Sequence, residues 1–446
     1  MASPAIPNVP QWLSNSHSAQ HLAHVLQTLR QRESVRDRAS AESRKQAQAN
    51  HTSRSSKILS SMHLYSKPND RLVEYYDVTV GCLKENSDKN RYIQLEPYDR
   101  TRVVVGEGQT IGVGMGGKDK SEKNGKGRYL NASWVLERAG HKWWIATQAP
   151  LPNTAHTFLS IILQPISHLS KTLATSQIPS DSRSKTSRVR TVVQLTQNIE
   201  SGRRKAHAYF PSDVGRSLVV PPEMGSSAPA LKVTLLDVQD ITAANCVRST
   251  VSIVPIHRPH LRAARAYDDD LEVDENDDID ENEAFDPDTD RRVIFQHMLY
   301  THWPDHGVPD PEDRASLLEF IKLVDKTNRD ISLFPSTDLE PSELDPDPPI
   351  MVGCSAGIGR TGSFIALSSL LRGLGILSPA TTPTPPNVLH PSPLGPLPDD
   401  LQDDLVAQEV DSLRDQRPGM VQREEQVLLI YETLLDALEA HIPEST

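Results

Sequence analysis

An apolar segment, Ile350-Met351-Val352, runs into Gly353-Cys354-Ser355-Ala356-Gly357-Ile358-Gly359-Arg360-Thr361-Gly362, a stretch of small residues around one thiol and one guanidinium. Small residues let a backbone curl until several N–H groups face one hollow, and a helix beginning at the end of the run adds its partial positive charge. Such a hollow suits a tetrahedral oxyanion. Ser355, Ala356, Gly357, Ile358 and Gly359 would line it, and Arg360 would close it with a planar fork that takes two phosphate oxygens. Cys354 lies at its floor. A free thiol has a pKa of about 8.5 and is mostly protonated near neutrality; the same amides, helix end and guanidinium favour a thiolate. One constellation thus arms a nucleophile and binds the group it attacks, which is what phosphoryl transfer asks of a protein. A bare Cys-x5-Arg also occurs in strand-to-helix turns that only pack. The full run CSAGIGRTG weighs against that reading.

From the cysteine onward this run resembles the signature loop of the cysteine-dependent, phosphotyrosine-specific protein-tyrosine phosphatases of the non-receptor type. The resemblance extends, with gaps at inserts, over roughly residues 70–440. Thr301-His302-Trp303-Pro304-Asp305-His306-Gly307-Val308-Pro309 is similar to the family's mobile acid loop. Expelling a phenolic oxygen from phosphorus needs a proton donor, and Asp305 is the candidate, acid in one step and base in the next; Trp303 and Pro304 support it. Lys89-Asn90-Arg91-Tyr92 with Pro97-Tyr98-Asp99 resembles the phosphotyrosine-recognition loop, in which Tyr92 would stack on the substrate ring. In the run Arg417 to Gln426, Gln422 and Gln426 match glutamines that orient the hydrolytic water, Gln426 as the main one. Polar residues at that spacing are also usual on any helix face. Glu200 resembles the carboxylate that holds the signature arginine, and Thr361 the hydroxyl that eases departure of the thiolate. The resemblance implies no cofactor and no metal, and phosphotyrosine-containing proteins as substrates.

Two positions depart from the family pattern. Gly353 stands where members usually carry His, a residue that helps fix the loop and favour the thiolate. A weakened enzyme is therefore expected, and a phosphotyrosine-binding pseudophosphatase is the alternative. Gln94 replaces an acidic residue that accepts hydrogen bonds from the substrate backbone, so peptide preference is expected to differ.

These groups need strands and helices to hold them. Arg128 to Ser133, Trp143 to Thr147, Val189 to Leu195, Val293 to Tyr300 and Pro349 to Val352 read as strands. Arg314 to Val324, Gly362 to Leu371 and Gln422 to Leu438 read as helices. Leu22, Val25, Leu26 and Leu29 share one face of a helix over 18–30, followed by a solvated helix or loose linker over 31–60. The class is α/β or α+β, a central twisted mixed sheet flanked by helices. The division expected is a tail over 1–17, an N-terminal extension over 18–70, a catalytic domain over 71–440 and a tail over 441–446. Polar inserts near 106–127, 165–188, 256–290, 335–348 and 377–400 are expected on the surface or disordered. The Pro-rich insert over 377–400 could also dock an adaptor's aromatic groove.

Composition narrows the class further. The net charge is −12, but Asp268 to Asp290 alone holds 14 acidic residues, and without them the chain would sum to +2. No basic stripe suggests nucleic acid. Cys82, Cys246 and Cys354 form neither a disulfide framework nor a CxxC pair, which fits a reducing compartment. No apolar run is long enough to span a bilayer, and a cytoplasmic location is expected, the nucleus being the alternative.

Overall fold

The computed structural model describes residues 9–52, 68–106, 111–113, 127–164, 166, 187–256, 292–305, 307–334 and 344–440. The sequence-predicted inserts near 106–127, 165–188 and 256–290, with its acidic run, lie almost wholly outside the described residues, as does most of 335–348.

The helices are α1 (Gln11–Ser14), α2 (Ala19–Thr52), α3 (Pro68–Tyr75), α4 (Ala155–Leu163), α5 (Pro311–Arg329), α6 (Gly359–Gly373), α7 (Leu405–Gln416) and α8 (Glu424–Glu439). The strands are β1 (Arg102–Gly106), β2 (Ile111–Val113), β3 (Gly127–Leu136), β4 (Trp143–Gln148), β5 (Thr191–Gln194), β6 (Ile199–Glu200), β7 (Arg203–Arg204), β8 (Ser217–Val220), β9 (Ala230–Ile241), β10 (Cys246–Ile256), β11 (Val293–Tyr300) and β12 (Ile350–Cys354). One mixed sheet runs β2-β1-β3-β4-β12-β5-β11-β10-β9-β8, with β6 and β7 as a separate hairpin. The middle strands β4, β12, β5 and β11 are parallel, and the flanks are antiparallel. This is the helix-flanked mixed sheet expected from the sequence.

Strand β12 explains where the chemistry sits. Every residue in it is buried, as a central parallel strand covered on both faces requires. Alternation sends Ile350, Val352 and Cys354 into the core shared with α5, α6, α7 and α8, and Met351 into the opposite core beneath α4. Cys354 therefore emerges on the helical face, at the carboxyl end of a parallel strand, where α6 begins.

The sequence offers a long solvated helix or a loose linker over 31–60 and a tail over 1–17. The helix forms, α2 continuing to Thr52, but it is not wholly solvated: Arg36 is fully buried, as is Leu13 within 1–17. The inner face of α2 beyond residue 31 is held by ion pairs, Arg32 to Asp411 and Arg36 to Asp411 and Asp415, so its sequence looks like a solvated surface. The Pro-rich stretch over 377–400 is anchored, not free. Leu377, Val388 and Leu397 are buried, Trp143 Nε1 donates to Thr384 Oγ1 at 3.0 Å, and Thr384 N–H donates to His141 O at 2.9 Å. Among the described residues no helix is long and apolar enough to cross a membrane.

Candidate active site

Residues 354–359 form a closed turn between β12 and α6, and its carbonyls are taken up from outside. Ser355 O accepts from Ala149 N–H at 3.0 Å, and Ile358 O from Val421 N–H at 3.2 Å. Arg417 supplies the two between, with Nε on Gly357 O at 2.8 Å and Nη2 on Ala356 O at 3.2 Å. Each carbonyl turned outward turns the adjoining amide inward, the arrangement that makes an anion cradle. Gly357 has φ +71°, and its N–H donates to Cys354 Sγ at 3.3 Å. Cys354 is 6% exposed.

Arg360 leaves the first turn of α6 and is fixed by four acceptors. Nη1 donates to Glu200 Oε1 (2.7 Å) and Leu195 O (2.9 Å); Nη2 donates to Glu200 Oε2 (2.8 Å) and Pro304 O (2.8 Å). The bidentate pair with Glu200 holds the fork in plane. Glu200 is itself held by Thr196 Oγ1 and Gln197 N–H. The bond to Pro304 O ties the 301–305 segment to Arg360. Asp305 then lies 3.9 Å from Arg360 and 2.5 Å from Lys205 Nζ. The Lys205 hydrogen bond, with smaller contributions from Ser201 and Glu200, holds the Asp305 carboxyl down at about 2, so in the empty site it is a carboxylate. Trp303 is buried in the helical core beside Tyr300; His306 lies outside the described residues.

Tyr92 stands at the mouth, 39% exposed, with its hydroxyl 2.7 Å from Ser355 Oγ. Ser355 gives its one proton to Lys205 O, which can only accept, so Tyr92 is the donor to Ser355. Gln94 is exposed with φ +67°, and its carbonyl accepts from Arg44. The two glutamines separate. Gln426 is buried, caps α8 by accepting from Arg423 N–H at 3.1 Å, and packs against Gly359, whereas Gln422 is exposed on the loop before α8. The Thr361 hydroxyl is buried and makes no hydrogen bond among the described residues.

Reading the sequence assigned no role to Lys205 or Arg417. Arg417 is fully buried, bonded to Asn131 Oδ1 and Ser133 Oγ as well as the loop, and faces no carboxylate. Burial brings it down to about 10. The available signal for it was an arginine next to proline on the approach to the glutamine loop.

A family model described as protein-tyrosine phosphatase matches residues 86–175 and 261–377. Over these residues the chain is similar to the protein-tyrosine phosphatase family. Among curated relatives, tyrosine-protein phosphatase 99A of Drosophila melanogaster is 25% identical over 355 residues, 79% of this chain and 19% of that protein. Tyrosine-protein phosphatase Lar-like of Caenorhabditis elegans is 27% identical over 356 residues, 80% of this chain and 11% of that protein. Human tyrosine-protein phosphatase non-receptor type 13 is 23% identical over 362 residues, 80% of this chain and 10% of that protein. The chain thus spans between a tenth and a fifth of the length of these relatives.

Against the usual phosphatase pattern, Gly353 has a local cause. It lies opposite Thr147 in the ladder, and a Cβ there would stand 2.7 Å from Thr147 O and 3.2 Å from its Cγ2. Strand β4 has closed onto the space a side chain would need. Gly353→Ala is expected to destabilise the domain by about 1–3 kcal/mol, the usual range for overpacking. Gly353→His is expected to cost at least as much and to give no gain in kcat. Thermal melts beside steady-state kinetics check this; a faster, equally stable His variant would show that the space exists.

Proposed function

We propose that the protein hydrolyses phosphotyrosine in proteins through a cysteinyl-phosphate intermediate. The observation that supports the reading is the clasp of Arg360 on Glu200 and Pro304, which leaves Asp305 3.9 Å from the guanidinium and against Lys205. In the first step Cys354 Sγ forms a bond to phosphorus, the bond from phosphorus to the tyrosine oxygen breaks, and Asp305 gives that oxygen a proton. In the second step a water attacks phosphorus, its proton goes to the Asp305 carboxylate, and the thiolate leaves, helped by the Thr361 hydroxyl. Gln422, exposed on the loop before α8, and Gln426, buried against Gly359 of the cradle, are the two side chains that would orient that water. The loop amides of 355–359 and Arg360 hold the phosphoryl oxygens throughout.

Tyr92, pinned to Ser355, supports selectivity for an aromatic phosphoester, because its ring forms one wall beside the thiol. Gln94 offers the substrate backbone a neutral acceptor in place of a charge. The three cysteines are free, which suits a reducing compartment, and we assign the cytoplasm or nucleus. Metal-free phosphate release from a phosphotyrosyl peptide and its phosphothreonyl twin tests the reading. At least about a hundredfold preference for the first is expected, in line with the discrimination a shaped site achieves. Tight binding without release would instead mark a phosphotyrosine-binding pseudophosphatase.

A further inference from the structure

The loop that carries Gln422 is held from behind by the N-terminal helix. Gly419 has φ +69° and Val421 φ +52°, so a β-branched residue occupies the left-handed region two positions after a glycine that does the same. A backbone of that shape persists only when its surroundings over-determine it. The surroundings are specific. Arg414 Nε donates to Met420 O at 2.9 Å, and its Nη2 donates to Val421 O at 2.8 Å. Its Nη1 reaches Leu29 O on α2 at 3.1 Å. From the same helix, Glu33 Oε1 accepts from Gly419 N–H at 3.0 Å. Glu33 Oε2 faces Arg36 at 3.3 Å and Arg414 Nε at 3.9 Å. On its other side the loop is locked to the cradle. Val421 N–H donates to Ile358 O, and a Cβ on Gly362 would stand 2.4 Å from Val421 N.

Glu33 is therefore the one acidic side chain among the described contacts that grips this loop directly, and it also orients the arginine that grips it twice more. Arg36 keeps the carboxylate in place: it is fully buried, and Asp411 and Asp415 hold it on the far side. We propose that Glu33 is a positioning residue for the hydrolytic step: with Arg414 it sets the backbone of 419–421 so that Gln422 stands at the cysteinyl phosphate. This rests on the catalytic reading given above. Glu33 touches neither the cradle nor the acid loop itself and reaches the cradle only through the Val421 N–H bond to Ile358 O, so its loss acts chiefly on the second step.

The test separates the two steps in the full chain. Glu33→Gln keeps the size and one acceptor oxygen for Gly419 but removes the charge facing Arg414; Glu33→Ala removes both. With p-nitrophenyl phosphate under rapid mixing, the burst that reports phosphorylation of Cys354 is expected to stay within about twofold in both variants. Steady-state turnover is expected to fall about threefold in Glu33→Gln and about tenfold in Glu33→Ala, with more phosphocysteine trapped on acid quench. If Glu33→Ala does not fold, Glu33→Gln decides alone. Burst and turnover slowing together, or neither changing, would overturn the positioning role and leave the catalytic reading standing. A wild-type enzyme that traps no phosphocysteine would overturn the catalytic reading and this inference with it.

Discussion

Cys354→Ser is expected to lower phosphate release from a phosphotyrosyl peptide by about 10⁴-fold or more, the scale seen when a covalent nucleophile is removed. The loss follows from the thiol's acidity. A cysteine begins at a pKa of about 8.5 and is already a partial thiolate near neutrality, whereas a serine hydroxyl keeps its proton in the same cradle. The site should otherwise survive the change. Arg360 is held by Glu200, Leu195 and Pro304, and the loop carbonyls by Ala149, Arg417 and Val421, none of which depends on sulfur. Affinity for the peptide, measured by calorimetry, should therefore be retained within a few-fold. Turnover that persists in the serine variant would place the nucleophile elsewhere.

Asp305→Asn should cost about 10²–10⁴-fold with a tyrosine leaving group, the range for loss of a general acid. The defect should shrink towards nothing with an aryl phosphate whose phenol is acidic enough to leave unprotonated. The pH dependence carries a second sign. Lys205 holds Asp305 at about 2 in the empty site, so the free enzyme near neutrality has an ionised Asp305. The proton needed for expulsion must then arrive with the substrate, whose second phosphate pKa is about 6. kcat/KM should fall as pH rises through that value, and the Asn variant should lose this limb. Lys205→Met removes the ammonium that depresses Asp305 and lets its pKa rise towards the ordinary 3.8, still below the substrate's, so the limb should stay where the substrate sets it. A limb retained in the Asn variant would mean that Asp305 is not the donor.

The parts of the site that could be read from the sequence were those with a fixed local grammar. The cradle from Cys354 to Arg360 is contiguous because one strand end, one turn and one helix start must build it together. The strands around it were legible because their buried faces are apolar, as in Val293 to Tyr300. What stayed hidden is held by charge. Arg36, Arg414 and Arg417 are buried, yet in a linear reading each looks like solvated surface, because its partners lie hundreds of positions away or are backbone carbonyls. The meander of β8, β9 and β10 escaped for the opposite reason. Its outer residues, such as Leu218, Val219, Leu236 and Val238, are exposed, so no clean alternation marks the strands. Lys205 escaped because the third of three basic residues at a short hairpin, Arg203-Arg204-Lys205, reads as solvated surface; only its contact with Asp305 gives it a role.

The clasp between α2 and α7 also sets an order of events during synthesis. Arg36 and Asp411 are 375 positions apart. At 5–20 residues per second a ribosome needs roughly 20–75 s to travel between them. For that interval Arg36 has only Glu33 of its own helix as a counter-ion, and most helical stability comes from tertiary packing. This early helix therefore docks late. Glu33 cannot reach Gly419, nor the cradle take its final form, until nearly the whole described chain has emerged. A nascent chain stalled before residue 411 would carry the cysteine and its loop intact in sequence, yet lack Arg417 and Val421, which take up that loop's carbonyls.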